Sequence, residues 1–263
     1  MTPKKVAIVG MGVSNVDYIL DVCRFGSRFA IADEVWAINK MGAAIQCDAI
    51  FRMDDLGKDF PMNQKAIKFG EDNPKIIQDV WYDTLKAFKG KIFTSKAYPD
   101  LFPTSVEYPI EDVINFLNVA YFNTGPSYAI AYAMMIGVEE LLLYGLDYTY
   151  PDRHIAESGR ACVEFHLRDA MRRGVKVTVS KNSTLLDTNK PTTLYGYDTP
   201  VNVVTNEDGK LNIVWRTDIA KKQKEEQERA EHCEFQRLAQ KFKPDLLDTP
   251  DGGSRESLIG EQK

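Results

Sequence analysis

Residues 120–181 have the sequence AYFNTGPSYAIAYAMMIGVEELLLYGLDYTYPDRHIAESGRACVEFHLRDAMRRGVKVTVSK. Pro126 suits the first turn of an apolar helix, and Gly137 suits its C-terminal cap. A buried strand ending near Gly145 follows, then a polar loop, a second helix over 160–173 closed by Gly174, and another strand. This helix–strand–helix–strand order is typical of an α/β protein built on a parallel sheet.

Polar residues collect at one end of this unit. Asn123 and Thr124 precede the first helix, whereas Asp147, Tyr148 and Tyr150 follow the strand. In open α/β sheets, ligands bind outside the carboxyl ends of the strands, so we expect a substrate here. Each residue alone also suits the simpler role of capping a helix or a loop.

Bulk composition limits the classes of function. The chain has 263 residues, 44% of them apolar and 27% charged, which is typical of a globular protein. Its net charge of -5 gives no general reason to expect nucleic acid or an anionic membrane as partner. The four cysteines are far apart and form no CxxC pair, and no apolar run is long enough for a membrane helix. We therefore expect a cytoplasmic protein without membrane insertion.

The amino-terminal segment predicts a strand, a glycine turn and a helix. Residues 5–9 are apolar, Gly10 and Gly12 follow, and residues 16–25 have helical spacing. Such a turn lets backbone amides approach a phosphate. However, Asn15 replaces the third glycine of a dinucleotide fingerprint, and Asn39 ends the next strand where an acidic residue would bind ribose. A nicotinamide cofactor is therefore disfavoured.

Two adjacent carboxylates, Asp54 and Asp55, follow a third predicted strand at 49–53. They suit a magnesium ion beside a nucleotide phosphate, but they suit the capping of a turn as well. A fourth strand is predicted at 91–94, and the prolines and aromatic residues between 95 and 109 indicate a loop.

The carboxyl-terminal third changes in character. Residues 1–190 predict one nucleotide-binding catalytic domain, and the alternation in 191–217 predicts an appended β-hairpin. Residues 218–243 predict a charged helix that suits oligomerisation or partner binding, and the composition of 244–263 predicts a disordered tail.

Several of these motifs together resemble a known family. They are GxGxS (Gly10, Gly12, Ser14), VWAIN (35–39), NTG before the apolar helix (123–125), LYGLDY (143–148) and NSTLL (182–186). As a set they resemble the bacterial CMP-sialic-acid-dependent sialyltransferases of variant nucleotide-sugar fold. They also resemble a Rossmann-like family that includes motility-associated factors and 6-hydroxymethylpterin pyrophosphokinase. The GRACVEF segment (159–165) is similar to tailed-phage gene products. The resemblance implies a Rossmann-like, doubly wound, mostly parallel sheet and a metal-independent transferase.

The resemblance also implies residue roles. The first glycine turn with Ser14, together with Asn39, Asn123, Thr124, Gly125 and Asp147, would bind the nucleotide. His154 lies ten residues before Glu164-Phe165, similar to the spacing of the family's catalytic histidine, and would act as general base on an acceptor hydroxyl. The family's phosphate-contacting tyrosine falls on Thr149, so Tyr148 or Tyr150 would act there, and Arg153 and Arg160 would supply the cation.

Three functions remain open at this stage. The first is a glycosyltransferase that transfers a sugar from a nucleotide-sugar donor to a glycan or a modified nucleic-acid base and needs no cofactor. The second is a pyrophosphoryl transferase in which Asp54, Asp55 and Asp147 bind Mg²⁺. The third is a non-enzymatic nucleotide-binding or interaction protein that forms a homo-oligomer.

Overall fold

The computed structural model of the protein describes residues 2–56, 75–189, 201–205 and 211–215, with short helical segments at 217–218, 221, 225–232 and 234. The strands are β1 (Lys5–Val9), β2 (Glu34–Ile38), β3 (Ala49–Phe51), β4 (Lys91–Thr94), β5 (Ser105–Glu107), β6 (Glu140–Tyr144), β7 (Lys176–Val179), β8 (Val201–Thr205) and β9 (Leu211–Trp215). The α-helices are α1 (Asn15–Phe25), α2 (Lys75–Ala87), α3 (Ile110–Leu117), α4 (Gly125–Ile136) and α5 (Arg153–Arg172). Short 3-10 helices lie at Arg28–Ala30, Asn39–Ala43 and Leu185–Asp187.

Seven strands form one parallel sheet in the order β5-β4-β3-β2-β1-β6-β7. The strand order reverses between β1 and β6, which makes this position the topological switch point of the sheet. The prediction of a doubly wound, mostly parallel α/β sheet is confirmed.

Helices cover both faces of the sheet because the central strands are apolar on both sides. Val6 and Ile8 of β1 pack with residues of α3, α4 and α5, whereas Ala7 and Val9 pack with residues of α1 and α2. Two separate apolar cores therefore hold the central strands from opposite sides and place their carboxyl ends at one edge.

Two predicted loops differ in the structure. Residues 105–107 pair with β4 as the edge strand β5, so the proline-rich segment between 95 and 109 is not loop throughout. Helix α5 begins at Arg153 rather than near residue 160, because the Asp152 side chain accepts hydrogen bonds from the amides of His154 and Ile155. His154 is therefore in the first turn of a helix and not in the preceding loop.

The chain divides into two compact units, Met1–Lys190 and Pro191–Lys263. In the second unit, β8 and β9 form an antiparallel pair, which confirms the predicted hairpin strands. The hairpin turn at 206–209, much of the predicted charged helix and the tail at 244–263 lie outside the described residues. Within the described residues, no helix is both long enough and apolar enough to cross a membrane.

Candidate functional site

A cleft of about 470 Å³ lies at the carboxyl edge of the sheet, around the switch point between β1 and β6. Its volume is within the range of small-molecule sites. Four chain segments line it, namely the turn after β1, the end of β2, the start of α4 and the turn after β6. The lining residues are Gly10, Met11, Gly12, Val13, Ile38, Asn39, Thr124, Pro126, Gly145, Leu146, Asp147, Tyr148, Thr149 and Tyr150.

Seven of the predicted site residues meet in this cleft although they are far apart in sequence. They are Gly10, Gly12, Asn39, Thr124, Asp147, Tyr148 and Tyr150. These residues follow separate elements of the chain and lie together at one edge of the sheet. The lining also includes Met11, Val13, Ile38, Pro126 and Thr149, which were not among the predicted site residues. Their position in sequence next to predicted site residues was the signal that could have identified them.

Glycines bring the two turns at the switch point into contact. The amides of Gly10 and Gly12 donate hydrogen bonds of 2.8 Å to the carbonyls of Tyr144 and Gly145, respectively. A Cβ atom on Gly10 would lie 2.5 Å from the Gly145 carbonyl oxygen, and Gly145 itself has φ +66. The glycine turn thus packs against the neighbouring turn, and these two amides are already used within the protein.

Ser14 lies beneath the cleft rather than in its lining. Its amide donates a 2.7 Å hydrogen bond to Asp147 Oδ2, and its hydroxyl accepts a 3.0 Å bond from the Gly145 amide. Both residues are buried. Ser14, predicted as a nucleotide contact, therefore joins the two turns that form the floor of the cleft.

Two polar atoms in the cleft lining are buried without a hydrogen-bond partner in the described residues, Asp147 Oδ1 and the Tyr148 hydroxyl. Burial raises the pKa of the Tyr148 hydroxyl more than the neighbouring Thr124 side chain lowers it, so the hydroxyl remains protonated. Tyr148 has φ +50, an uncommon conformation for a bulky residue. Its ring packs on Gly159 of α5, where an added Cβ would lie 2.7 Å from a ring carbon.

The start of α4 presents Thr124 to the cleft. Thr124 is the residue before the helix, but its side chain makes no capping hydrogen bond, so the simpler capping role does not describe it. Gly125 begins α4 beside Ile38 and does not line the cleft. Asn123 also lies outside the lining, and its side-chain amide donates a 3.0 Å hydrogen bond to Ser158 of α5.

Asn39 lies at the end of β2 with φ +54, and its side-chain oxygen accepts a 3.3 Å hydrogen bond from Arg52. Arg52 also forms an ion pair with Asp54, and the Tyr98 hydroxyl donates a 2.6 Å bond to Asp55. Asp54 and Asp55 follow β3, which is three strands from β6 in the sheet order.

That separation bears on the predicted magnesium ligands. Three strand spacings correspond to roughly 14 Å between β3 and β6. Asp147 therefore does not converge with Asp54 and Asp55 on one ion. Among the described residues, no group of three or more histidine, cysteine, aspartate or glutamate side chains has the arrangement of a metal site.

The predicted catalytic residues of α5 lie outside the cleft lining. His154 and Arg153 are exposed in the first helical turn. Arg160 is one to two turns further on, where its guanidinium bonds Glu164 at 2.7 Å and lies 3.3 Å from Asp187. The structure does not bring these three residues into the cleft.

A buried polar network supports the cleft from below, and the sequence did not predict it. Asp17 of α1 accepts hydrogen bonds from Ser180 and from the Asn182 side chain. In the next residues, the hydroxyls of Ser183 and Thr184 donate to the carbonyls of Leu146 and Asp147. The NSTLL motif was visible in the sequence, but only the structure shows that it holds the turn after β6.

A larger cleft, of about 730 Å³, lies at the amino edge of the same sheet. Its lining includes Pro3, Lys91 and Trp36, and it contains none of the predicted site residues. In open α/β sheets the carboxyl edge is where ligands bind, so the smaller cleft is the better candidate despite its size.

The chain matches no family model and no curated protein sequence. Among solved structures it is similar to the sialyltransferase CstII from Campylobacter jejuni in complex with a substrate analogue, CMP-3FNeuAc, with 18% identity and a TM-score of 0.41 over 69% of this chain and 82% of that chain. A CstII complex with cytidine-5′-monophosphate gives 20% identity and 0.41 over the same shares. A CST-II complex with trisaccharide acceptor and CMP gives 16% identity and 0.40 over 69% and 83%. Similarities at this level concern the fold and carry no activity over to this chain.

Proposed function

We propose that the chain is a glycosyltransferase that binds a nucleotide-sugar donor in the cleft between β1 and β6. The observation that carries this proposal is the convergence of Gly10, Gly12, Asn39, Thr124, Asp147, Tyr148 and Tyr150 around one ligand-sized cleft at the switch point. Except for Tyr150, which lies two residues after the LYGLDY motif, these residues belong to sequence motifs that resemble a nucleotide-sugar transferase family.

The cleft offers neutral groups to the phosphate of such a donor. Four of the lining residues carry hydroxyl groups, namely Thr124, Tyr148, Thr149 and Tyr150. Within the described residues, the backbone amides of Met11 and Val13 donate no hydrogen bond. The start of α4 adds the positive end of a helix dipole. No lysine or arginine is among the lining residues. Hydrogen-bond donors would therefore stabilise the leaving phosphate, together with Arg153 in the first turn of α5.

The transfer step needs a proton acceptor, and His154 is proposed for it. The acceptor hydroxyl would attack the anomeric carbon, the bond from that carbon to the phosphate oxygen would break, and the hydroxyl proton would pass to the imidazole. The phosphate would leave with the nucleotide and keep the bond electrons. Because the His154 side chain is exposed, it is accessible to a large acceptor.

The acceptor is proposed to be a hydroxyl group of a glycan or of a modified nucleic-acid base. CMP sugars are the first donors to test, since the sequence motifs resemble enzymes that use them. No magnesium is required in this proposal. The separation of Asp147 from Asp54 and Asp55 makes the pyrophosphoryl-transferase alternative less suitable.

A second candidate is nucleotide binding without catalysis, and one observation favours it. His154, Arg153 and Arg160 all lie outside the lining of the cleft. The proposed binding residues therefore lie together in the cleft, whereas the proposed general base and the two proposed arginines do not. Turnover by the wild-type chain, with its loss on replacement of His154, separates the two candidates.

The experiment is thermal unfolding with CMP, UDP, GDP or ATP, each with EDTA and with Mg²⁺. A ligand at 100 times its dissociation constant adds about 2.7 kcal/mol of stability, or roughly 5 °C or more for a domain of this size. We expect a shift with CMP or UDP in EDTA. A shift restricted to ATP with Mg²⁺ would point to phosphoryl transfer instead, and no shift with any nucleotide would refute the nucleotide site.

A further inference from the structure

Helix α1 has an apolar stripe that faces outward. Val16, Leu20 and Cys23 of α1 are spaced by three and four residues, Ile19 lies beside them, and Val13 lies three residues before Val16 in the turn that precedes the helix. All five are exposed, Val13 to 77% and Leu20 to 59%. Spacing of this kind places side chains on one side of a helix, where they usually face the core. We call these five residues the outer face of α1.

The acidic residues of α1 are turned the other way. Asp17 is buried against Ser180 and Asn182, and Asp21 accepts a 2.9 Å hydrogen bond from the Tyr144 hydroxyl. These are the only two charged residues between positions 13 and 23. The helix thus directs both acidic side chains to the protein body and its aliphatic side chains to the outside, and its basic residue Arg24 is exposed in the last turn.

The apolar surface extends beyond the helix at both ends. Met11 is exposed before it, Phe25 is exposed as its last residue, and Phe29 is exposed after it. Phe29, Ile19 and Cys23 also line a common groove of about 400 Å³, which shows that they are neighbours. Without the small Cys23, the seven exposed apolar side chains each offer on the order of 100 Å², which gives roughly 700 Å². A standard interface buries about 800 Å² on each partner.

We propose that the outer face of α1 is the contact surface of a homodimer, in which a second copy of the chain packs the same face against it across a two-fold axis. Residues near such an axis meet their own copies, so like charges there would repel. An uncharged centre of Val16, Ile19 and Leu20 meets that condition. The estimated apolar area is close to the area that each partner buries in an interface of standard size. The helical spacing of the side chains also allows two such stripes to interdigitate.

The proposed interface adjoins the ligand cleft. Met11 and Val13 belong to the exposed apolar surface and also line the cleft. A second copy seated on the outer face of α1 would therefore border the cleft mouth. The dimer does not depend on the proposed transferase activity, because its evidence is the surface of α1 alone.

The test is sedimentation velocity of the full chain at micromolar concentration, for the wild type, Leu20→Glu and Ile155→Glu. Leu20 and Ile155 are exposed to 59% and 58%, so the two substitutions are matched in chemistry and exposure. We expect wild type and Ile155→Glu to sediment as dimers. Leu20→Glu should sediment as a monomer, with dissociation favoured about 100-fold or more because two carboxylates would be buried together at the axis.

Cross-linking gives an independent readout if Leu20→Glu fails to fold by circular dichroism. Cys23 is exposed, whereas Cys162 is buried and burial raises the pKa of the Cys47 thiol to about 12. In a Cys233→Ser background, which removes the fourth cysteine of the sequence, a short bismaleimide should therefore link two copies through Cys23, and the further change Cys23→Ser should abolish the product. A monomeric wild type, a dimeric Leu20→Glu, a monomeric Ile155→Glu or a dimer that Cys23 does not cross-link would each overturn the proposal.

Discussion

The backbone amide of Ser14 donates a 2.7 Å hydrogen bond to Oδ2 of Asp147, across the two central strands of the sheet. This bond ties the turn after β1 to the turn after β6, and both turns line the candidate cleft. The second oxygen, Oδ1, is buried without a partner in the described residues. One oxygen of Asp147 therefore joins the two turns that line the cleft.

Replacing Asp147 by alanine should lower the free energy of unfolding by about 1–3 kcal/mol, because the buried Ser14 amide loses its acceptor. Asp147→Asn retains an oxygen for that amide and should cost less. Urea unfolding of the three proteins measures the difference. An alanine variant as stable as wild type would show that the bond contributes nothing to the junction.

Gly145→Ala should be more destabilising than Gly26→Ala. Both glycines have positive φ, so alanine is strained at either position. At Gly26 an added Cβ has open space, whereas at Gly145 it would collide with the Gly10 carbonyl. We expect an additional loss of roughly 1–3 kcal/mol at Gly145. Equal losses in urea unfolding would mean that the two turns separate easily.

Asp17 should make stability depend on pH. Burial opposes ionisation of this carboxyl, but hydrogen bonds from Ser180 and Asn182 outweigh it and lower its pKa below the usual 3.8. A carboxyl with a lowered folded pKa stabilises the protein above its unfolded pKa, and that contribution is lost as the pH falls through the folded value.

The corresponding measurement is urea unfolding of wild type and Asp17→Asn between pH 3 and pH 7. The stability advantage of the wild type should be constant near neutrality and should shrink below about pH 4. An advantage that does not change across this range would contradict the assigned ionisation.

His154→Ala should retain the nucleotide-induced thermal shift and lose at least about 100-fold in turnover, since a general base typically contributes that much. Arg172→Ala, at the far end of the same helix, is the control for a general effect of altering α5. Retained turnover in His154→Ala would assign the base to another group, and a lost thermal shift would make His154 a binding residue.

Sequence patterns predicted the sheet, but they did not predict where α5, which carries the proposed catalytic residues, begins. Gly10, Asn39 and Asp147 each follow a strongly apolar strand, and parallel strands bring their carboxyl ends together. The start of α5 was missed because Asp152 caps a helix whose first turn, with Arg153 and His154, is polar enough to suggest a loop.

The direction in which side chains point was also not predictable from the sequence. Helical spacing in residues 16–25 identified α1, but spacing alone does not show which face is buried. Asp17 faces inward because Ser180 and Asn182, more than 160 positions later, satisfy its carboxylate. Likewise, the sequence allowed Asp54 and Asp147 to share a metal ion, whereas the sheet order places the strands that precede them three positions apart.

The most direct test of a nucleotide site in this cleft is calorimetric titration of CMP and UDP in EDTA into wild type, Thr149→Trp and Glu111→Trp. Thr149 is an exposed lining residue, so tryptophan there should fill the cleft without disturbing the core, and Glu111 is an exposed control on α3. We predict metal-free binding of at least one nucleotide to wild type and Glu111→Trp, with binding lost in Thr149→Trp. Equal binding by Thr149→Trp, or no binding by wild type, would contradict the account.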